Sequence, residues 1–539
     1  MTAASRAPEA PSASTSGPAG LVVACMAVAA VFAAPLGYLV WENLHRGTDL
    51  LQILRDEHAL EPLRRTLALG LTVSLSTVVV GTSLAWLTTR TDLPGRRVWR
   101  VVAPLPLVIP SFVGALALLA AFAPGGLAEE ALRPLGVHRM PRVEGFTGAA
   151  LVLTLLTYPY VYLPVSARLA LLPQSIEESA RSLGRSPLEV FRTIVLPQIA
   201  GAMWAGGLLV FLYSLSEFGA VQLLHYDTLT RAIFSARLFD RDVSLALSLL
   251  LGAVALAVVA AERRVAHRRA RTEAIGTGKT GLVAPLGRWK APAVAFASAV
   301  VGLALVVPVA VLAHWVVRGV SGGVSLDVGG LIEPAITTGM LGVGSGLAAL
   351  AVVLPVAYLT VRHRSRLGGV SNALVVSGFA LPGLVVAIAL VALVLAVSGI
   401  DRLYQTYALL VTAYVVHFGS QAMRAAQVAV GGVPRLVEDA ACSLGAGRIR
   451  RLLTVELPLM RGGLVAGAGL VLLSTMKELP ATLVLRPIGV ETLATRVWAA
   501  SSEGFYAEAG LSALVLLALS AVLTWFLTVR NLDRAGAAR

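Results

Sequence analysis

Twelve apolar stretches of about 20 residues alternate with short polar segments along the chain. They fall at about 20–41, 67–89, 101–123, 147–171, 200–221 and 243–261, then at about 291–317, 336–360, 370–397, 405–427, 462–485 and 508–530. Each is long enough to cross a bilayer as an α-helix, which takes roughly 20 residues. A closed barrel would instead alternate polarity in strands of roughly ten residues, and no such alternation occurs. The pattern predicts an all-α integral membrane protein with about 12 transmembrane helices.

Composition agrees: of 539 residues, 57% are hydrophobic and 14% charged, with mean hydropathy +0.79. A soluble chain of this length needs far more polar surface. The formal net charge of +14 is what cytoplasmic loops rich in Lys and Arg produce, so no nucleic-acid partner is inferred. Cys25 and Cys442 lie far apart, one in an apolar stretch and one in a polar loop, which suggests neither a disulfide framework nor a cysteine metal site.

Five regions follow. Residues 1–19, rich in Ala, Ser and Pro, read as a disordered tail. This start is long and weakly charged and a second span follows, so the first apolar stretch reads as a retained helix rather than a cleaved leader ending at "FAAP". Residues 20–261 and 291–530 form two six-span units, 262–290 a basic linker and 531–539 a C-terminal tail. The linker, "ERRVAHRRARTEAIGTGKTGLVAPLGRWK", carries eight Lys or Arg against two Glu. Placing it in the cytoplasm also places both termini there, with "TRTDLPGRRVWR" (89–100) and "VRHRSR" (361–366). Arg133, Arg139 and Arg142 run against the bias on the outer side.

The two units align. Glu177, Gly184, Pro197 and Glu217 recur as Glu438, Gly445, Pro458 and Glu478, always 261 residues later. A constant offset of this kind implies an internal duplication, and six spans per copy make the repeats parallel. A pathway between pseudo-symmetric halves is the expected consequence.

A polar segment of matched layout interrupts the apolar pattern on the cytoplasmic side of each unit: "QSIEESARSLGRSPLEVFRTIVLP" and "RLVEDAACSLGAGRIRRLLTVELP". Each predicts a helix, a glycine turn and a second helix. In the first copy Ser175 and Glu178 have capping-box spacing, and Gly184 suits a left-handed turn. Ser186, Pro187 and Glu189 give a second helix start, followed by the apolar stripe Leu188, Phe191 and Val195. In the second copy Gly447 replaces Ser186, so the second helix starts less well. Such a helix could lie on lipid headgroups. Two matched copies favour a protein partner, with Ser179, Ala180, Ala440 and Ala441 permitting close approach and the acids pairing with the partner's arginines.

Glu177-Glu178-Ser179-Ala180 with Gly184 and Pro197, and Glu438-Asp439-Ala440-Ala441 with Gly445 and Pro458, resemble the EAA loop of bacterial ABC importer permeases. The resemblance covers roughly residues 60–530. Ser179 replaces one alanine and Asp439 departs from the usual residue. The resemblance implies a type I ABC importer permease fold in the bacterial cytoplasmic membrane, loops docked in an ABC ATPase dimer, and an extracytoplasmic solute-binding protein. The segments "SEFGAVQLLHYDTLTRAIFSARLFDRD" (216–242) and "MKELPATLVLRPIGVETLATRVW" (476–498) are similar to the fused permeases of the ferric-iron uptake group. That implies Fe(III) as cargo, with thiamine or another small solute as the alternative. ATP would be bound by the partner, and this chain carries no cofactor.

Other signals are weaker. "GTGKT" (276–280) lacks the first glycine of a phosphate-binding loop, Glu273 standing in its place. Tyr158, Tyr160 and Tyr162 suit interfacial or packing roles better than Fe(III) ligation. The scattered histidines suggest no metal site, and no nucleophile-and-base set suggests an enzyme. Glu217, Lys477 and Glu478 fall near span ends, where ionisable groups are costly; they are expected to serve a structural, gating or pathway role. A secondary transporter could use such acids for ion coupling, but it would leave the paired loops unexplained.

Overall fold

The computed structural model describes residues 18–45, 57–136, 140–269, 284–363 and 365–537. Most of the N-terminal tail, Arg139 and the linker's "GTGKT" lie outside the described residues. Every element longer than an isolated bridge is helical among the described residues.

Nine of these helices are long and apolar enough to cross a membrane. Two further helix pairs reach that length only together, each bent sharply: Arg96–Val108 with Ser111–Ala121 at 101°, and Arg366–Gly378 with Gly383–Ala396 at 110°. The third predicted span of each half is therefore broken rather than straight. Proline is the cause. Pro110 and Pro382 sit at the breaks in extended conformation, and each lacks the N–H that a continuing helix requires. The tenth predicted span forms the 25-residue helix Tyr407–Gly431, which falls outside the nine because polar side chains interrupt it. Two of those side chains face protein: Gln427 donates to Asn372 (3.0 Å), and Gln421 accepts from Ser474 (3.0 Å).

The first helix of each half crosses to the other half. Cys25, Val28 and Phe32 of Ala19–His45 join the core built from residues 341–485. Ala297, Val300, Val301, Ala304 and Leu312 join the core of the first half. Close approach explains the glycines at the first crossing: a Cβ at Gly419 would lie 2.7 Å from the Phe32 ring.

Matched hydrogen bonds mark the duplication. Thr66 accepts from the Leu229 N–H and Thr338 from the Leu493 N–H, both at 2.9 Å. Near the chain's middle, Thr91 bridges to Ala284, and Asp92 accepts from the Leu286 N–H (2.8 Å) while pairing with Lys290 (2.8 Å). The end of the linker is thus clipped to the loop after the first half's second span.

Candidate functional site

The two polar loops fold as near-copies. The helices Gln174–Ser182 and Arg435–Ser443 are nine residues each. Both end at a left-handed glycine, Gly184 (φ 83) and Gly445 (φ 76), where a side chain would be strained. The Arg185 N–H returns to the Ala180 carbonyl at 3.2 Å, and the Ala446 N–H to Ala441 at 3.0 Å, the crossed bonding of a Schellman end.

Helix starts differ from expectation. The first loop helix begins at Gln174 behind Pro173, with no side-chain cap. Ser175 and Glu178 therefore do not form the expected capping box, because both already lie inside the helix. The second expected start does form: the Ser186 N–H donates to Glu189 Oε2 (2.8 Å) and the Glu189 N–H to Ser186 Oγ (3.3 Å). Its counterpart starts at Gly447 without a side-chain cap.

Each following span opens with a π-helical turn, Phe191–Val195 and Leu452–Glu456. Pro197 and Pro458 come two residues after those turns. A third copy of the device, Gly302–Val306, precedes Pro308 in the same way. A proline ring clashes with the carbonyl four residues back, and a wider turn relieves that contact without ending the helix. The motif proline thus fixes where the span widens as it leaves the loop.

The two lead acids turn inward, against the expectation that they face a partner. Glu177 meets Arg90 at 3.1 Å, with side-chain exposures of 6% and 2%. Glu438 meets Arg362 at 2.5 Å, at 18% and 14%. Both arginines stand at the end of the second span of their half. Arg90 also donates to the Leu172 carbonyl (3.3 Å), and Arg362 to those of Val430 and Val433 (both 2.8 Å). Burial pushes the Glu177 carboxyl above its ordinary range, with Arg90 and Arg181 pulling it back. The sequence reading missed Arg90 and Arg362.

Other motif residues divide by face. Glu178, Ser179, Asp439 and Ala440 are exposed, while Ala180 and Ala441 pack inward. Among the described side chains, the largest apolar exposures on the loops belong to Leu183 and Leu444, 83% and 88% exposed just before the two glycines. The sequence reading singled out neither.

The seats beneath the loops are unlike. In the first half Trp86 meets Phe191 edge to face at 4.8 Å, over buried Val195. At the matching positions of the second half, the Tyr358 hydroxyl donates to Glu456. Arg451 donates to the other oxygen of Glu456 (2.6 Å) and to Cys442 Sγ (2.9 Å). One seat is aromatic and apolar, the other a polar network.

Glu217 and Glu478 are buried and hold the short helices that follow them. Glu217 Oε1 accepts from the Ala220 N–H (2.8 Å). Glu478 accepts from the Ala481 and Thr482 N–H groups (3.0 and 3.1 Å). A carboxylate at a helix start satisfies otherwise unpaired donors. Glu478 also lies against the second break, where a Cβ on Gly383 would come within 2.7 Å of its Oε1. Lys477 reaches across the halves to donate to the Leu107 carbonyl (2.8 Å), just before the first break. Its counterpart, Ser216, has no such group.

Other polar side chains are engaged within the chain. Asp227 pairs with Arg231 (2.7 Å) and Glu491 with Arg496 (3.6 Å). Tyr158 donates to the Ala103 carbonyl (2.6 Å), and Tyr162 meets Thr88 (3.2 Å), which are packing contacts. Among the described residues no three His, Cys, Asp or Glu side chains converge as a metal site would require.

The chain matches the family described as "Binding-protein-dependent transport system inner membrane component" over residues 77–322 and 353–535. It is 31% identical over 503 residues to the "Fe(3+)-transport system permease protein FbpB 2" of Haemophilus influenzae, covering 92% of this chain and 94% of that relative. It is also 33% identical over 156 residues to the "Sulfate transport system permease protein CysT" of Salmonella typhimurium, covering 29% of this chain and 55% of the relative. "Sulfate permease 2, chloroplastic" of Chlamydomonas reinhardtii is 32% identical over 214 residues, 38% of this chain.

Proposed function

We propose that this chain, which belongs to the family of binding-protein-dependent transport system inner membrane components, is the permease of an ATP-driven importer of ferric iron. The carrying observation is the pair of loop helices, each joined to its own half by an Arg–Glu contact at matched positions, buried in the first half and partly buried in the second. Iron as cargo is supported by the near full-length likeness to the Haemophilus influenzae protein. The sulfate permeases match about a third of the chain.

In this reading Tyr407–Gly431 and the two bent pairs join the nine long helices, giving two parallel six-helix repeats. Both loops, both termini and the linker face the cytoplasm. Each loop docks on one subunit of an ATPase dimer, with Glu178, Ser179, Leu183, Asp439, Ala440 and Leu444 on the docking face. Glu177 and Glu438 act from beneath: they fasten the loop helix to the second span, so that movement of the ATPase is passed into the membrane. Pro197 and Pro458 set the widened turn through which the fifth span follows. An extracytoplasmic binding protein delivers iron to the opposite face.

ATP closes the ATPase dimer, the two loop helices move as levers, and the halves tilt open to the outside. Hydrolysis returns them. A lever transmits only if its fastening holds in both states. Lys477, Glu478 and Glu217 are the gating candidates, since they sit at the breaks where the halves meet.

The test is uptake in proteoliposomes holding the chain with its own ATPase. Fe(III), thiamine and sulfate are each offered with a matching binding protein. ATP-dependent iron uptake supports the reading. Uptake of another solute alone overturns the cargo, and uptake without ATP overturns the mechanism. Glu177→Lys with Glu438→Lys, which sets two cations against each other at both latches, is expected to stop uptake while leaving the protein in the membrane.

A further inference from the structure

Each half's first helix crosses the outer arm of the other half's bent pair, and each crossing leaves a groove at the end of the molecule away from the loops. The two grooves differ in chemistry. One, about 450 Å³, lies where Ala30–Trp41 passes Leu393 and Val397 and is lined by apolar and aromatic residues. The other, about 560 Å³, lies where Val311–Arg318 passes Leu116–Leu127, and its rim carries Arg142, His314, Arg318 and one acid, Glu144.

The floor of the second groove is apolar, formed by Leu116, Ala120, Phe122, Leu127 and Val311, over the buried Ala117 and Ala121. One wall is the ring pair Trp315–Tyr506, centroids 5.0 Å apart. Another is the turn at Gly125 (φ 72) and Gly126, where a Cβ would meet the Ala120 carbonyl at 2.4 Å. The loop is therefore held in place by residues that no larger side chain can replace. Val317 and Val320, on the helix that carries Arg318, and Phe505, next to Tyr506, are each more than half exposed, as lipid-facing positions are.

Among the described residues neither Arg142 nor Arg318 has an acid within ion-pair distance. Two free guanidiniums above an apolar bed, at the edge of lipid-facing surface, match a ligand with an anionic head and a hydrocarbon tail. Guanidinium binds phosphate oxygens through paired N–H donors.

We propose that this groove binds one anionic phospholipid from the leaflet opposite the loops, its phosphate held by Arg142 and Arg318 and an acyl chain lying on the floor of Leu116, Ala120 and Val311. The apolar groove at the other crossing takes acyl chains without regard to headgroup, and so serves as a control within the same molecule.

The full chain is reconstituted in nanodiscs of phosphatidylcholine with graded phosphatidylglycerol, and retained lipid is counted by native mass spectrometry. Wild type is expected to retain one phosphatidylglycerol, with preference over phosphatidylcholine falling about tenfold in Arg142→Gln with Arg318→Gln. Ala120→Trp, which fills the groove and keeps both arginines, should also lose it. Retention in that variant, or equal competition by inorganic phosphate, overturns the lipid assignment in favour of a free oxyanion. Equal phosphatidylglycerol enrichment in wild type and the double-Gln variant overturns the site altogether. Bulk phosphatidylcholine retention, expected unchanged in every variant, reports that each has folded.

Discussion

Arg90→Met tests whether the loop helix is fastened from within. Arg90 and Glu177 are almost fully buried and 3.1 Å apart. Removing one member of a buried ion pair leaves the other charge desolvated and uncompensated, at a cost of about 3–5 kcal/mol. The helix at stake has nine residues, and helices shorter than about 12 residues are marginal in water without packing support. A loss of that size exceeds what such a segment can hold on its own. Amide exchange of residues 176–185, followed by mass spectrometry on the full chain in nanodiscs, should accelerate by about 100-fold or more. ATP-driven uptake should fall with it. Replacing both partners, Arg90→Met with Glu177→Leu, removes the stranded charge, and apolar substitutes for buried pairs are often neutral, so protection should return. Exchange in Arg90→Met within about twofold of wild type would refute the latch, since a fluctuating contact of no structural weight leaves exchange unmoved.

Three further outcomes are expected. Leu183→Ser with Leu444→Ser should weaken ATPase association measured by co-purification and titration, because burying each leucine contributes about 1.5–3 kcal/mol; the thermal midpoint should stay put, as both are exposed in this chain. Lys477→Met should break the link to Leu107, so that ATP hydrolysis persists while iron taken up per ATP falls; Lys477→Arg should keep part of the coupling, and an unchanged ratio in the Met variant counts against a gating role. The Glu189 carboxylate, held below its ordinary range by the Ser186 N–H and hydroxyl, supports the second loop helix fully above the ordinary carboxylate range and loses that contribution as pH falls through the lowered value. Exchange of residues 186–190 should follow that slope and flatten in Glu189→Gln.

The helical membrane class, the repeat and the position of both loops were legible in the sequence because each leaves a periodic or spaced signal. Gly184 and Gly445 were legible for the same reason, since a left-handed turn accepts few other residues. The broken third spans were not, because hydropathy continues across Pro110 and Pro382 even though the backbone cannot. Arg90 and Arg362 were hidden by a change of register: they lie 272 residues apart, as do Thr66 and Thr338, whereas the loop residues lie 261 apart. The first half's longer segment between its third and fourth spans shifts the frame. A search at two offsets would have found the latch. Ser175 and Glu178 illustrate the opposite failure, a correct spacing with no helix start at that point. The inward turn of Glu177 could not be read at all, since it depends on a span 87 residues earlier in the chain.

Duplication gives two equal copies, and divergence beneath the loops has made them unequal. Trp86, Phe191 and Val195 form a contact that depends on burial alone, so its strength is indifferent to salt. The matching Tyr358, Glu456, Arg451 and Cys442 form a charged chain ending at an exposed thiol. Its outer part is open to water and weakens as ionic strength rises. The latches differ in the same sense, with Arg90–Glu177 sealed and Arg362–Glu438 partly open. High salt is therefore expected to loosen the second loop's seat before the first. If both levers are required for transport, uptake falls with salt along the second half's dependence, and apolar replacement of Glu456 and Arg451 together should flatten that fall. If one lever suffices, salt lowers uptake no further than the first half alone sustains, and the replacement changes nothing.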